Sequence, residues 1–548
     1  MDGHPLGERN PKALQDDYVK FIRFAQWRIE RTGYGILAFI TNHRYLENPT
    51  FPGMRQSLMN TFDEMYLLNL HGSNKPKETP PAGIADQNVF DIQQGVAIGI
   101  FVKHLNGEKQ NCAVSYADVW GLRNAKYSWL SGNDITTTQW RKVSPQAPSY
   151  LFMPQDRNRA EEYERGWLIT EMMPVNSVGL YTARDNLAIQ WTKAEVQAVL
   201  QDFISLPLET AREKYDLGPD SRDWQVALAQ KDVRASKLTE ANIQQITYRP
   251  FDMRFTYYTG VSRGLICMPR PEVMRNMVNS RNLAICFMRN SREQIVSNFF
   301  VANHIVDKTI LSSADNANVA PLYIYPVAQA QDTLFTFNDP IPTEVGRSSN
   351  FAPAFTEQFA HQLGMRFISD GKGDLGETFG PEDIFSYLYA VFHSPTYRER
   401  YAEFLKKGFP RLLLTSNAKL FRELCKFGDR LVNLHLMEKS GQITTSYPIS
   451  GDNKIEKVEY TQPTDKSEQG RVWINKTQYF DGVSPEVWEF HVGGYQVCQK
   501  WLKDRKGGTL FYDDINHYQK IVAALAETIR LMDKIDEIIE EHGGWPIE

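Results

Sequence analysis

Residues 248–277 read YRPFDMRFTYYTGVSRGLICMPRPEVMRNM, and the interpretation of the rest of the chain turns on this stretch. Extended to residue 292 it carries eight arginines (249, 254, 263, 270, 275, 281, 289 and 292) and no lysine. Only Asp252 and Glu272 oppose them inside the segment, with Glu293 at its margin, in a chain whose formal net charge is -5. A guanidinium forks onto phosphate and onto the guanine edge, whereas an ammonium acts as a point charge. The interleaved aromatics Tyr248, Phe251, Phe255, Tyr257 and Tyr258 suit either a packed sheet or stacking on bases. Composition alone leaves two readings open, a buried strand pair with surface arginines or a nucleic-acid contact.

At 548 residues the chain is long for a single core, so several domains are expected. A hydrophobic share of 42% and a charged share of 23% are globular values and argue against disorder. Five scattered cysteines, with no CxxC and no histidine spacing suited to zinc, point to reduced thiols and no structural metal. No apolar run reaches the roughly 18 residues of a membrane span, and the polar N-terminus is no signal peptide. A soluble cytoplasmic protein is expected.

Working outward, Asp16–Arg31 has helical apolar spacing, and GILAFIT (35–41) reads as a strand buried on both faces. A helix over Phe51–Thr61, a strand at MYLLNL (65–70), and strands in VFDI (89–92) and GVAIGIFVKH (95–104) complete half an α/β sheet. Beyond it, Lys193–Ile204 reads as a helix, and LAICFMR (283–289), FFVANHIVD (299–307) and APLYIYP (320–326) as strands. Gln329–Glu377 is breaker-rich and reads as containing a long loop or linker. From Pro381 the pattern turns helical, interrupted at Ser394-Pro395 and ending in a long amphipathic helix over Asp513–Glu541. WINKTQYF (473–480) reads as a strand.

The chain contains no GxxxxGK[ST], HExxH or GxSxG, and no GxGxxG following a strand; Gly371-Lys372-Gly373 sits in a loop. His43 and His304 fit loop-capping roles better than catalytic ones. No complete catalytic constellation is present, and no catalytic or metal-ligating residue is assigned.

The order of longer words is more informative. The stretch from RNPKALQDDYVKFIRFAQWRIE through GILAFITNHRYLENPTFPGMRQSLMNTFDEMYLLNLHG resembles the part of adenine-N6 DNA methyltransferases that follows their catalytic motif. YRPFDMRFTYYTG, PLYIYP, FSYLYAVFHSPTYRERYAEFLK, RVWINKTQYF and EVWEFHVGGYQVCQKWLKDR resemble the C-terminal specificity region of single-chain type ISP restriction-modification enzymes. This resemblance implies an α/β fold: a partial Rossmann-like methyltransferase sheet, then a mixed α+β target-recognition domain with a helical C-terminal part. The implied domains are 1–130 (methyltransferase half), 131–380 (α/β part of the target-recognition domain) and 381–548 (its helical part).

Complete members of the family combine a nuclease, a helicase-like ATPase, a methyltransferase and a target-recognition domain. The glycine motif for S-adenosylmethionine and the Asn-Pro-Pro-Tyr/Phe motif that holds the extruded adenine do not occur in this sequence. The resemblance therefore implies S-adenosylmethionine for a complete enzyme and no cofactor for this chain alone. The implied partner is double-stranded DNA, with no membrane; the chain is either a fragment or a split subunit, and in the second case an upstream methyltransferase, helicase or nuclease polypeptide is a further partner. Phe90 is implied at the pocket for the extruded base, with a core role as the alternative. Arg249, Arg254, Arg263, Arg270, Arg275, Asn475, Lys476 and Gln478 are the candidate DNA contacts. A second basic set (Arg398, Arg400, Lys406, Lys407, Arg411, Lys419, Arg422) reads equally as a solvated helix face or as phosphate contacts. Two rival readings are a specificity or interaction module without catalysis, and an α/β enzyme for a small anion.

Overall fold

The computed structural model describes residues 11–547 apart from 49, 74–79, 81–83, 106–110, 148, 155–156, 279–280, 291–295, 327–345, 440 and 464–469. The chain divides into two compact units, Met1–Ala160 and Glu161–Glu548.

The first unit opens with helix α1 (Asp17–Thr32), whose Val19, Ile22 and Ile29 face inward at helical spacing. Gly33, in the left-handed region at φ 82°, ends it and turns the chain into strand β1 (Gly35–Asn42). Then follow α2 (Pro52–Thr61), β2 (Glu64–Asn69), β3 (Val96–Lys103), β4 (Ala113–Asp118), α3 (Arg123–Gly132) and β5 (Arg141–Val143). They form one sheet in the order β1-β3-β2-β4-β5. Strands β2 and β4 are parallel, and β3 runs antiparallel between β1 and β2. Arg55, fully buried on α2, donates to the carbonyls of Tyr45, Asn48 and Ser149 and so ties two segments distant in the chain, 45–48 and the one around 149, to the helix.

Three expectations change here. β1 is an edge strand, with Ile36, Ala38, Phe39 and Ile40 exposed rather than buried on both faces. Val89–Ile92 forms no strand, because Asn88 and Arg123 take its backbone groups into a loop. The sheet continues through β5, so the unit runs past residue 130.

In the second unit, β6 (Ser177–Val178), β7 (Ile189–Gln190), α4 (Lys193–Ser205) and α5 (Val226–Ala235) lead into β8 (Ile243–Arg249) and β9 (Asp252–Tyr257). These are followed by β10 (Ala284–Met288), β11 (Phe299–Ala302), β12 (Ile305–Val306) and β13 (Ala317–Pro321). Two four-stranded sheets result, ordered β12-β8-β9-β7 and β11-β10-β13-β6. The expected single strand over 299–307 is therefore two short strands in different sheets, parted at Asn303-His304. Within the expected loop after Gln329, residues 353–363 are helical; residues 327–345 lie outside the described part.

Helices α6 (Pro381–His393), α7 (Ala418–His435) and α8 (Tyr512–Glu541) each pack against the other two. Every α6 residue except Glu382 is buried. Ser394 interrupts the helix as the sequence indicated and caps the next one by accepting from the Tyr397 amide. WINKTQYF is a hairpin rather than one strand, with β14 (Gly470–Trp473) and β15 (Tyr479–Val483) joined by a turn. One core cluster runs from Tyr163 to Ile547, across the expected boundary at residue 380.

Candidate nucleic-acid interface

The β8–β9 hairpin turns at Pro250-Phe251. Phe251 adopts φ 60° and is buried edge-on against Phe300, with ring centroids 5.3 Å apart. This turn fixes the two arginines beside it. Arg249 donates to Asp307 Oδ1 at 2.9 Å and stacks on Tyr248 with its guanidinium carbon 3.8 Å from the ring centre. Arg254 donates twice to Asp252 Oδ2, at 3.2 and 2.9 Å, and lies over Trp191. Arg505 donates to the other Asp252 oxygen at 2.9 Å. Asp252 and Asp307 are buried carboxylates, which require paired cations. Arg249 and Arg254, expected as DNA contacts, are thus internal counter-ions that close the hairpin.

The loop that follows is organised differently. The buried Asp232 carboxylate accepts from Thr259 Oγ1 at 3.0 Å and from the Leu265 amide at 2.9 Å. Burial raises its pKa, and these two bonds offset that rise only in part. A Cβ on Gly264 would lie 2.2 Å from Asp232 Oδ2, so glycine lets the loop close onto this anchor. Trp224 Nε1 donates to the Leu265 carbonyl from below. On this scaffold Arg263 and Arg270 take left-handed backbones, φ 62° and 54°, which cost non-glycine residues on the order of 1–2 kcal/mol each.

Arg263 is exposed and donates to the Arg222 carbonyl. The Nε atoms of Arg270 and Arg275 are buried without a partner among the described residues, while both side chains reach partly into solvent. Arg281 and Arg289 are exposed. Among the described residues none of Arg263, Arg270, Arg275, Arg281 and Arg289 forms a salt bridge, although Arg263 lies within electrostatic reach of Asp223. Arg292 lies outside the described residues.

The other candidates separate in the same way. Asn475 Oδ1 caps the hairpin turn by accepting from the Thr477 and Gln478 amides, and its Nδ2 donates to Lys454 O. Gln478 is buried, bonded to Asn453 and to the Ile449 carbonyl. Both amides are therefore engaged internally, and Lys476 is the exposed cation at the tip. In the second basic set, Arg398 is buried on the Phe392 carbonyl, Arg400 pairs with Glu162, Arg411 donates to Gly166 O and Arg422 to Leu375 O. These four arginines hold the fold, which neither reading of that set anticipated.

Phe90 lies in the first unit, 45% exposed, so it is not a core residue. Its loop is held by several hydrogen bonds. Asn88 accepts from the Phe90 amide and donates to the carbonyls of Gly72 and Gln94. Arg123 donates to the carbonyls of Asn88 and Phe90, and Tyr127 to that of Val89. Beneath it, the fully buried Lys126 pairs with Asp86. Residues following β2 and β4 add a group that the sequence reading missed. The His71 ring stacks on Trp120 with centroids 3.4 Å apart, and Asp118 lies 3.6 Å from its Nε2. The nearby His71 imidazole, together with Arg141, holds the Asp118 carboxyl below its ordinary value. No sequence spacing signals this group, because its members come from strands distant in the chain. Among the described residues no cluster of His, Cys, Asp or Glu is placed to hold a metal ion, and no helix is long and apolar enough to cross a membrane.

Among curated proteins none matches this chain. Solved structures do. A nuclease-deletion mutant of the Type ISP restriction-modification enzyme LlaGI in complex with a DNA substrate mimic aligns over 99% of this chain and 49% of its own, with TM-score 0.64 and 20% identity. A DrdV–DNA complex aligns over 98% and 53%, with TM-score 0.63 and 20% identity. The ATP-dependent Type ISP restriction-modification enzyme LlaBIII bound to DNA aligns over 99% and 35%, with TM-score 0.67 and 19% identity. The chain thus spans about half or less of each. At these identities the likeness concerns the fold. The family model of the Type ISP C-terminal specificity domain matches residues 171–534, well over half of the chain, and the protein belongs to that family.

Proposed function

We propose that this chain is the DNA-reading part of a site-specific adenine-N6 methyltransferase in a restriction-modification system. The observation that carries this reading is the coincidence of the specificity-domain match with a run of arginines free of carboxylate partners among the described residues. Arg263 and Arg270 sit on a braced, strained loop and are the foremost contacts, with Arg275, Arg281, Arg289 and Lys476 beside them. The DNA-bound states of LlaGI, DrdV and LlaBIII support the same assignment. Phe90, exposed on a hydrogen-bonded loop, would offer a stacking face to an extruded adenine.

S-adenosylmethionine would serve the complete enzyme as methyl donor. The residues present do not fit it: β1, β2 and β4 run into Asn42-His43-Arg44, Leu70-His71-Gly72 and Val119-Trp120-Gly121, none a glycine-rich cradle. The space beside Gly72 is filled by the Asn88 backbone. The proposal therefore places the cofactor site outside these 548 residues, in a further part of the same chain or in a partner polypeptide. The alternative is a specificity module that acts without catalysis.

Fluorescence anisotropy on duplexes of randomised sequence, at about 50 and 200 mM salt, tests the DNA reading. Binding that weakens steeply with salt and selects a short motif is expected; no binding at the lower salt overturns it. Adding the upstream polypeptide and assaying N6-methyladenine separates the enzyme part from the module.

A further inference from the structure

Arg184 and Lys308, two cations that the sequence reading did not single out, lie beside the arginine loop in the second unit. Three further segments of the chain meet that loop or each other there. Gly179-Leu180, just past β6, packs against Asp307-Lys308, just past β12. The Lys308 amide donates to the Leu180 carbonyl at 2.9 Å, and a Cβ on Gly179 would lie 2.7 Å from the Lys308 nitrogen, so glycine permits the approach. Tyr181 then exchanges two backbone hydrogen bonds with Met268, at 3.0 and 2.9 Å, between Arg263 and Arg270. The segment around Trp224 joins the same loop. Its indole donates to the Leu265 carbonyl, and the Cys267 thiol donates to the Asp223 carbonyl at 3.3 Å.

Both side chains are oriented on this frame. Lys308 Nζ lies 3.9 Å from the centre of the Tyr181 ring. The Arg184 guanidinium lies over Trp224, 4.9 Å from the ring centre, and donates to the carbonyls of Leu217, Ala183 and Pro219 at 2.6, 2.8 and 3.1 Å. Ring faces and carbonyl oxygens fix a cation without cancelling its charge, and these bonds leave part of the Arg184 donor fork open. The neighbouring carboxylates are engaged by other cations. Asp307 pairs with Arg249 at 2.9 Å, Asp220 with Arg212 at 3.0 Å and Asp223 with Arg222 at 2.8 Å. Asp220 remains within electrostatic reach of Arg184, and Asp223 within that of Arg263. Arg184, Arg263 and Lys308 all act on the Cys267 thiol, as does Asp223, so three cations surround one point with a single carboxylate among them.

Depth decides what such a group can meet. Arg184 and Lys308 are half-buried, whereas Val261, Ser262 and Arg263 at the loop tip are exposed. A side chain that reads a base edge must extend into a major groove about 8.5 Å deep. A recessed, fixed cation meets the outermost groups of a duplex, which are its phosphates. We propose that Arg184 and Lys308, alongside Arg263, clamp a backbone phosphate of the DNA duplex. This rests on the DNA reading above and adds a division of labour to it: the clamp sets the register of the duplex, and the exposed tip is left to reach further in.

Anisotropy of the full chain with Lys308→Gln and Lys308→Arg tests the clamp. Lys308→Gln should weaken matched and random duplexes alike, by about tenfold at about 50 mM salt, and lower the salt slope by about 0.9. Lys308→Arg should restore both. Duplexes carrying one uncharged methylphosphonate, moved along each strand, supply a test on the unsubstituted protein. One position should weaken its binding and leave Lys308→Gln indifferent. An unchanged salt slope, a loss confined to one base pair, or a methylphosphonate scan without such a position would each overturn the clamp. So would saturable binding of inorganic phosphate, lost in Lys308→Gln while duplex binding is kept, which makes the group a small-anion site. No duplex binding by the unsubstituted protein defeats the DNA reading and the clamp together; normal binding with an indifferent Lys308→Gln defeats the clamp alone.

Discussion

Arg249 and Arg263 belong to one arginine-rich segment and do opposite jobs, because one faces a buried carboxylate and the other faces solvent. Replacing Arg249 with Ala would leave Asp307 buried and uncompensated, at a cost of about 3–5 kcal/mol. Chemical denaturation should show that loss of stability. Arg263→Ala and Arg270→Ala should leave stability nearly intact and weaken DNA binding instead. A contact to a base edge would lose about 1–3 kcal/mol of discrimination at one position. A contact to phosphate would weaken all sequences equally and reduce the salt slope by about 0.9. Anisotropy on matched and mismatched duplexes distinguishes the two. Phe90→Ala, an exposed change, should alter stability by no more than about 0.5 kcal/mol and lower adenine methylation in the reconstituted enzyme.

At the scale of elements, α6 and α7 approach so closely that a Cβ on Gly428 would meet the Ser386 carbonyl oxygen at 1.8 Å. Gly428→Ala must push backbone against backbone, with an expected cost of at least about 1–3 kcal/mol, read as a lowered melting temperature. The same helices enclose His393 and His435, whose rings lie 5.3 Å apart. Burial depresses the His435 pKa to about 3, and the nearby Arg398 pushes the same way. His393 is likewise held well below its ordinary value by burial. Below the unfolded value of 6.5 the unfolded chain takes up protons that the folded chain refuses. The stability associated with neutral histidines is therefore complete above pH 6.5 and declines as pH falls toward 3. At about pH 5.5 the loss is on the order of 1 kcal/mol per histidine. Thermal melts between pH 7.5 and about 5 should show it, with a shallower decline in His435→Gln.

For the whole molecule, five arginines all reaching phosphate would give log K against log salt a slope of about -4 to -5, a measurement that counts how many of them touch DNA. Much of the architecture was legible beforehand. The periodicities of 16–31, 51–61 and 513–541 gave helices within a residue or two, and Ser394-Pro395 marked a real break. GILAFIT was correctly a strand, but its apolar run looked doubly buried because a sequence pattern does not reveal which strand lies at an edge. WINKTQ carried the residue types that read DNA, yet the turn engaged its two amides. By itself, the sequence determined the family, the helix and strand succession and the concentration of arginine, all properties of local periodicity and of long shared words. Only the tertiary structure decided which arginines are counter-ions and which are free, that Phe90 is displayed rather than buried, and that β1 has an open edge. Those outcomes depend on carboxylates and strands far away in the chain, and proximity in space is what local spacing does not encode.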